Sequence, residues 1–248
     1  MPSGRALTWL GRMTGRAAPV VLALTLALAL ALALGGCDAL GKIGAASHTP
    51  PAKSFTVGSR VTAVVIDGGS GSISVTGSAR SSVLVAQQAS YSKTAPSVTH
   101  VVRGTTLTLS YTCPVELVCG VSYDVQVPSG VSVSISAGAG SITLTSLSGP
   151  VTARADAGLI TAVALGSATA SFSSSAGGVI ASFSAAPGSV SASTHVGPIT
   201  LTVPGTVAYK VSTHTFVGTS TITVRRSATS VHVIHASSDL GSISVSAA

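Results

Sequence analysis

Three histidines recur at nearly even intervals in the second half of this 248-residue sequence. His195, His214 and His235 lie in STHVG, STHTFVG and VIHASSDLG. The intervals between them are about 20 residues, which is close to the length of a short structural repeat. If segments of that length stack, the three imidazoles form a ladder on one face, where adjacent rungs are close enough to share a metal ion. The alternative is that all three are exposed residues without a ligand. Apart from this ladder, we expect no metal and no cofactor.

The acidic residues and serines show no recognisable catalytic group. Six acids lie outside residues 1–36, widely separated along the chain, and none forms a pair like the two carboxylates that hydrolyse glycosides. Ser90-Tyr91-Ser92-Lys93 matches the nucleophile motif Ser-x-x-Lys, which must open a helix to bring amine and hydroxyl together. Here it lies between strand-like segments. The sequence therefore predicts a protein without catalytic residues.

Cys113 and Cys119 enclose the segment CPVELVC, in which Pro114 favours a bend. The sequence has three cysteines; the third, Cys37, is assigned below to lipidation outside the cytoplasm, and the remaining pair in that compartment suggests a disulfide. No histidine lies near them in sequence, so the two cysteines make a poor zinc site. We therefore predict a Cys113–Cys119 disulfide; the alternative is two free, buried thiols.

A third cysteine, Cys37, stands at the end of an apolar run. Residues 1–16 contain three arginines and no acid, and the segment that follows, 17–34, is apolar except for Thr25. A basic segment, an apolar segment and small residues at a cleavage point are typical of a secretory signal. The length of the apolar run is also close to the minimum for a membrane-spanning anchor.

Leu34-Gly35-Gly36-Cys37 resembles the lipobox of bacterial lipoproteins. The resemblance implies that residues 1–36 are a cleaved signal peptide and that the Cys37 thiol carries a diacylglycerol. Two acyl chains hold a protein stably at a membrane, whereas one chain binds only marginally. Residues 37–54, which show no periodicity and contain Pro50-Pro51, are then the lipidated cysteine and a flexible tether.

The composition argues against nucleic-acid binding. The formal net charge is +7, but three of the 13 basic residues lie within residues 1–36, and the remainder carries a net charge of +4. Only Arg225 and Arg226 are adjacent, whereas a nucleic-acid surface needs a clustered basic patch. Charged residues make up 8% of the chain, against roughly 25% in typical soluble proteins. The expected surface therefore carries hydroxyls rather than charges.

Residues 55–248 alternate between apolar and polar side chains with a period of two, which predicts β-strands. The pattern Gly-x-[apolar]-x-[apolar] recurs, and its leading glycines lie at 140, 158, 177, 197, 218 and 241. A regular step of about 20 residues is typical of a repeat array, here with two short strands in each unit. Ser220 interrupts the apolar pattern in the fifth unit.

One such unit cannot bury its own apolar face, whereas stacked units share a continuous core. We therefore predict an all-β fold, a two-sheet β-solenoid-like stack of repeats of about 20 residues. An antiparallel β-sandwich has the same alternation, although the regular spacing favours the stack. Inward alanines such as Ala153, Ala155 and Ala162 predict a thin core. Residues 55–248 are expected to form one continuous β domain.

The outward positions of the repeats are rich in serine and threonine. Alternation places six threonines on one outer face: Thr143, Thr145, Thr200, Thr202, Thr221 and Thr223. A flat array of hydroxyls is a candidate surface for binding a glycan or another ordered surface. The alternative is that these rows only solvate the sheet.

The stretch VSYDVQVPSGVSVSISAGAGSITLTSLSGPV (121–151) and the glycine-led units after it resemble the bacterial putative-adhesin domain family, over roughly residues 60–248. Tyr123, Val127, Pro128 and Gly130 match the tyrosine-containing strand and turn of that family. The aspartate common in the family's repeats is absent at 141, 159, 178, 198 and 219. The resemblance implies a β-rich, solenoid-like fold and an envelope role, with no catalytic residues to transfer.

These features predict a lipid-anchored, extracytoplasmic lipoprotein of the cell membrane whose non-catalytic β domain mediates surface interaction or adhesion. The expected partners are the membrane, through the N-terminal lipid, and a glycan, cell-wall or cell-surface ligand, but no nucleic acid. The alternative is an envelope-maintenance or stress-associated structural protein that binds components of its own wall or membrane. A third hypothesis is a hydrolase that acts on an envelope polymer.

Overall fold

The structure is a computed structural model that describes residues 47–58, 60–115 and 118–248. These residues form nineteen β-strands and no helix. In chain order the strands are β1 (Lys53–Val57), β2 (Ala63–Ser70), β3 (Ile73–Ser78), β4 (Val83–Tyr91), β5 (Ser97–Arg103), β6 (Thr106–Thr112), β7 (Cys119–Pro128), β8 (Ser132–Ala139), β9 (Ile142–Thr145), β10 (Val151–Ala157), β11 (Ile160–Leu165), β12 (Thr169–Ala176), β13 (Val179–Phe183), β14 (Ser189–Val196), β15 (Ile199–Val203), β16 (Lys210–Val217), β17 (Ser220–Ile222), β18 (Val233–Leu240) and β19 (Ile243–Ala247).

The strands form two sheets around one core. Sheet 1 has ten strands in the order β1-β4-β7-β3-β9-β11-β13-β15-β19-β17, and sheet 2 has nine in the order β16-β18-β14-β12-β10-β8-β2-β6-β5. A single cluster of buried apolar residues extends along the chain from Val57 to Val245. The prediction of an all-β, two-sheet stack is therefore confirmed.

Parallel strands paired in register build the repeat region. From β8 onward each repeat gives one strand to sheet 2 and the next to sheet 1. In sheet 2, for example, Val133, Val151, Ala170 and Val190 are successive partners in one buried row. Among the described strands, antiparallel pairs occur only between β1, β4 and β7 and between β5 and β6. The repeats therefore stack in parallel and do not form an antiparallel sandwich.

A glycine turns the chain from sheet 2 to sheet 1 in each repeat. The φ angles of Gly140, Gly158, Gly177, Gly197 and Gly218 lie between 132° and 147°, in a region that residues with a side chain rarely adopt. We call these glycine turns the corners of the stack. Successive corners lie against one another, since a Cβ on Gly177 would be 2.1 Å from the carbonyl oxygen of Gly158. Both the backbone conformation and the close approach therefore require glycine at this position.

The core is thin, as the inward alanines predict. Ala153, Ala155 and Ala162 are at most 3% exposed, and Phe172 is one of the largest fully buried side chains. We call one repeat, with one strand in each sheet, a coil, and each coil inside the stack adds a similar row of apolar residues to those of its neighbours. The stability of the stack is therefore expected to accumulate from coil to coil.

The last two coils are stacked out of sequence order. β18 lies between β14 and β16, and β19 lies between β15 and β17. After β15 the chain therefore skips one position and forms the outermost coil with β16 and β17. It then returns through residues 223–232 and fills the gap with β18 and β19. The corner glycines follow the same order, because a Cβ on Gly241 would meet the carbonyl of Gly197, and one on Gly218 would meet that of Gly241.

Antiparallel strands form the other end of the stack. β1 begins at Lys53, and His48 makes an isolated β-bridge with Tyr91, so the last part of the predicted tether lies against the domain. The described part of the chain contains no helix of the length and apolar character needed to cross a membrane. Residues 1–46, with the predicted signal peptide and Cys37, lie outside the described residues. The bounds of signal, tether and domain stay predictions.

Candidate functional site

The six threonines of the predicted binding surface lie along sheet 1. Thr143 and Thr145 are on β9, Thr200 and Thr202 are on β15, Thr221 is on β17, and Thr223 directly follows β17. Their neighbours in sequence are buried in the core at β9 and β15, so the hydroxyls face outward. Outward side chains are two residues apart along a strand, which separates the two rows of threonines by about 7 Å.

Serines and threonines of the intervening strands complete the two rows. We call the complete set the hydroxyl face: Ser74, Thr76, Thr143, Thr145, Thr161, Ser182, Thr200, Thr202, Thr221, Thr223, Ser244 and Ser246. Neighbouring strands place these hydroxyls at intervals of about 4.8 Å. On the seven neighbouring strands of sheet 1 that run from β3 across to β17, no outward side chain is charged.

Two exposed aliphatic side chains interrupt the rows of the hydroxyl face, and a third lies beside the rows, directly before β11. Leu159, Val163 and Ile180 are 40%, 43% and 44% exposed, and we call them the aliphatic patch. Ile180 lies in the same row as Thr161 and Thr200, between them. Sequence reasoning missed this patch, although the alternation that turns the residues on either side of Ile180 inward also turns Ile180 outward.

The outer face of sheet 2 has a different character. It carries the exposed charged side chains of Asp67, Arg154 and Lys210, in addition to the three histidines. The two faces of the stack therefore differ in charge, since sheet 2 carries charged side chains on its outer face whereas the outer face of sheet 1 has none from β3 to β17.

The predicted histidine ladder is not formed. Across β16 and β18, His235 is paired with Ser212 and His214 with Ser237, so these two histidines lie in different rows. His195 lies in a third row, on β14. The spacing of the histidines in sequence does not match the register between these strands. The described residues bring no three His, Cys, Asp or Glu side chains together as a metal site.

His195 instead contacts a carboxylate on the neighbouring strand. Its Nδ1 lies 3.0 Å from Oδ2 of Asp239, and the two side chains are 73% and 64% exposed, so solvent screens the interaction. Ser175 on β12 is the neighbour of His195 on the other side. Among the hydrogen bonds of the described residues, none joins Ser175 to His195. The row therefore lacks the nucleophile–base hydrogen bond of a Ser-His-Asp hydrolase.

The Ser-x-x-Lys match is also placed unlike a nucleophile motif. Ser90 is near the end of β4, which pairs with β7 in this region. The motif requires a helix to set the amine beside the hydroxyl. A strand turns successive side chains to opposite faces and does not provide that arrangement.

The Cys113–Cys119 disulfide is formed, as predicted. The two sulfur atoms are 2.06 Å apart and the two Cα atoms are 5.9 Å apart. The bond joins the residue after β6 to the first residue of β7. It therefore closes the short connection between a strand of sheet 2 and a strand of sheet 1.

Comparison with solved structures finds similarity at low sequence identity. The chain is similar to a "putative cell adhesion protein" from Clostridium sporogenes, with 14% identity, a TM-score of 0.48, and coverage of 80% of this chain and 100% of that one. It is also similar to a "putative adhesin" from Bacteroides fragilis, with 14% identity, a TM-score of 0.41, and coverage of 80% and 97%. A third similar structure, a "putative adhesin" from Parabacteroides distasonis, has 11% identity, a TM-score of 0.27, and coverage of 83% of this chain and 98% of that one.

No family model and no curated protein matches the chain. Membership of the putative-adhesin domain family therefore stays a prediction from the motifs.

Proposed function

We propose that this protein is an extracytoplasmic lipoprotein, anchored to the membrane by its N-terminal lipid, whose β domain acts by surface interaction and not by catalysis. Its binding surface is the hydroxyl face together with the aliphatic patch. The observation that carries the proposal is the outer face of sheet 1 from β3 to β17, which is uncharged. On it, exposed Val163 and Ile180 lie within two rows of hydroxyls, and exposed Leu159 lies beside those rows.

The arrangement of this surface resembles that of a binding interface. Interfaces place apolar side chains at a desolvated centre and polar groups at a rim, and Val163 and Ile180 lie among the hydroxyl rows in the same way. Each hydroxyl both donates and accepts hydrogen bonds. Because the strands beneath are fixed by parallel ladders on both sides, little conformational entropy is lost when the surface binds.

The chemistry of the face favours an uncharged, hydroxyl-bearing ligand. A charged polymer would find no complementary charge on it, whereas a glycan or a wall polysaccharide offers hydroxyls at many positions. We therefore propose adhesion to a glycan-bearing surface, which is either foreign or part of the cell's own envelope.

Ile180→Lys is expected to weaken this binding at least tenfold, a loss of about 1.4 kcal/mol. The substitution puts a charge without a partner at the centre of the uncharged face, and a side chain that is already 44% exposed can be replaced without unfolding the domain. The measurement is retention of the detergent-solubilised full-length protein on wall and membrane fractions of its own cell, on host-type glycans and on blank beads.

The matched control is Ser191→Lys, an exposed position on β14 in the outer face of sheet 2, which is expected to leave retention unchanged. Retention on foreign glycans alone supports adhesion, and retention on the cell's own fractions alone supports envelope maintenance. Equal losses in the two variants, or no retention on any of these materials, would refute the assignment of the binding surface.

Cys37→Ala is expected to move the protein from the membrane fraction to the soluble fraction, because the thiol that would carry the lipid is removed. Cell fractionation and the mass of the N-terminal peptide measure this change. The control is the double substitution Cys113→Ala and Cys119→Ala, which removes the disulfide and should leave the protein at the membrane. A Cys37→Ala protein that remains membrane-bound would indicate an uncleaved anchor.

A further inference from the structure

The two ends of the stack differ in how their edge strands are protected. At the antiparallel end, β1 begins with Lys53, β5 ends with Arg103, and prolines precede both strands. The rings of Phe55 on β1 and His100 on β5 stack across the two sheets, with their centroids 4.4 Å apart. Charged residues, prolines and covering contacts are the devices by which proteins keep edge strands from pairing with another chain.

The opposite end, which we call the open end, consists of β16 and β17 of the outermost coil. Each is the last strand of its sheet and has one neighbour among the described strands. Apart from Lys210, the first residue of β16, the two strands contain no acid, lysine, arginine or proline. The positions that are buried on β18 are only half-buried on β16, and Val211 and Ile222 belong to a last core row that is partly exposed.

The backbone of β16 presents a free edge at the open end. The Lys210 amide donates its hydrogen bond on the side of β18. Because backbone groups alternate in direction along a strand, those of Val211 and Thr213 point away from sheet 2. Before β16 the same edge is already covered, since the backbone of Tyr209 is hydrogen-bonded to residues 225–227. The free edge therefore begins at Val211, where no further strand of the described chain lies beside it.

The shape of the open end indicates the kind of partner. A single extended peptide adds one strand to one sheet, so it would cover β16 and leave β17 and the exposed core row uncovered. Two strand edges about 10 Å apart, with a core between them, are covered together only by another two-sheet stack. The open end of a second copy has that cross-section. It also brings Phe216 and Val217, which are 81% and 54% exposed, to the same interface.

We propose that the protein forms a symmetric dimer in which the open ends of two copies pair. A two-fold axis perpendicular to the sheets sets β16 antiparallel to β16 of the partner and β17 antiparallel to β17, so that both sheets continue through the dimer. Such an interface uses the same surface of both copies and closes on itself. Residues 48–57 enter the stack at the antiparallel end and leave the open end accessible. The proposal does not rest on the adhesive role of the hydroxyl face.

Analytical ultracentrifugation of the full-length protein tests the proposal, in a density-matched detergent with micelles in excess. The mass is expected to rise from monomer to dimer with protein concentration and to stop there, because the interface closes on itself. Thr213→Pro removes an amide from the free edge of each copy. Proline is tolerated where the N–H of an edge strand faces solvent, so this variant should fold, as circular dichroism measures. Its dimer dissociation constant should rise roughly tenfold or more.

A pair of charge variants separates pairing of this end from a general loss of fold. His214 is exposed and faces outward in the middle of β16, and the two-fold axis brings it near the partner's His214. His214→Glu and His214→Lys should each weaken the dimer, because like charges then face each other, and an equimolar mixture of the two should restore it.

Thr99→Glu is the matched control, since Thr99 is exposed on β5, the edge strand at the antiparallel end of sheet 2. It should leave the dimer unchanged. The proposal is overturned if the unsubstituted protein stays monomeric or its mass grows beyond the dimer. It is also overturned if Thr213→Pro dimerises as well as the unsubstituted protein, if mixing the His214 variants restores nothing, or if Thr99→Glu dissociates the dimer.

Discussion

Gly177→Ala is expected to lower the free energy of unfolding by about 3 kcal/mol or more. The φ angle of Gly177 is 145°, a conformation whose strain alone is of order 1–3 kcal/mol for a residue with a side chain. The new Cβ would also lie 2.1 Å from the carbonyl oxygen of Gly158. That oxygen belongs to the backbone of the neighbouring corner, so relief of the clash requires movement of a whole coil.

Urea-induced unfolding of the two proteins measures this effect, with Gly166→Ala as the matched control. A Cβ on Gly166 would have its nearest neighbour at 3.5 Å, on Ser148, which is ordinary van der Waals contact, and the φ angle there is not positive. The control should change stability by less than about 1 kcal/mol. Similar losses in the two variants would show that the stacked corners do not limit the stability of the coil.

The sequence predicts these glycine corners well because the same close approach of the neighbouring backbone excludes a side chain at each of them. Alternation sets which residues face inward, and the glycine marks where the chain passes from one sheet to the other. Alternation also correctly places Thr143 and Thr200 in one row, because each lies three residues after its corner glycine. Local pattern is therefore enough to predict the coil and the side chains on its outer face.

The order of the last two coils is not readable from local pattern, because β16 and β18 show the same alternation. What distinguishes them is one inward side chain. β16 turns Thr213 inward, and Ser220 of β17 donates a hydrogen bond of 2.8 Å to it, whereas β18 buries Ala236 at the paired position. A polar inner row costs less at an end that is open on one side. The interruption at Ser220, together with the inward Thr213 to which it is hydrogen-bonded, is the signal in the sequence that marks the outer coil.

A pocket of about 350 Å³ at the end of the stack that the antiparallel strands form is lined by residues that are far apart in sequence. Pro50 and Pro96 meet Gln87 only because β1 and β5 end the two sheets on the same side of the stack. The pairing of Gln87 with Tyr123 depends on the antiparallel register of β4 and β7, which the repeat pattern does not encode. The histidine ladder fails for a similar reason, because its spacing in sequence is not the spacing between partner strands.

Ala236→Asp is expected to lower the free energy of unfolding by about 4 kcal/mol. Ala236 is 3% exposed and lies on β18, with Ala192 of β14 on one side and Thr213 of β16 on the other. A carboxylate there would be buried between two coils without a partner. Because the coil of β18 is inside the stack, the strands on both sides would have to move to admit water.

Thr213→Asp is the matched control, since it introduces the same aspartate at the residue of β16 that pairs with Ala236 of β18. Thr213 is only partly buried, in the outermost coil. The Ser220 hydroxyl already donates a hydrogen bond to Thr213 and can donate one to the new carboxylate. A loss of about 1 kcal/mol is expected, measured by urea unfolding alongside Ala236→Asp. Stacking in sequence order would place Thr213 inside and Ala236 at the open end. The ranking of the two variants therefore tests the exchange of coils directly, and a larger loss for Thr213→Asp would disprove it.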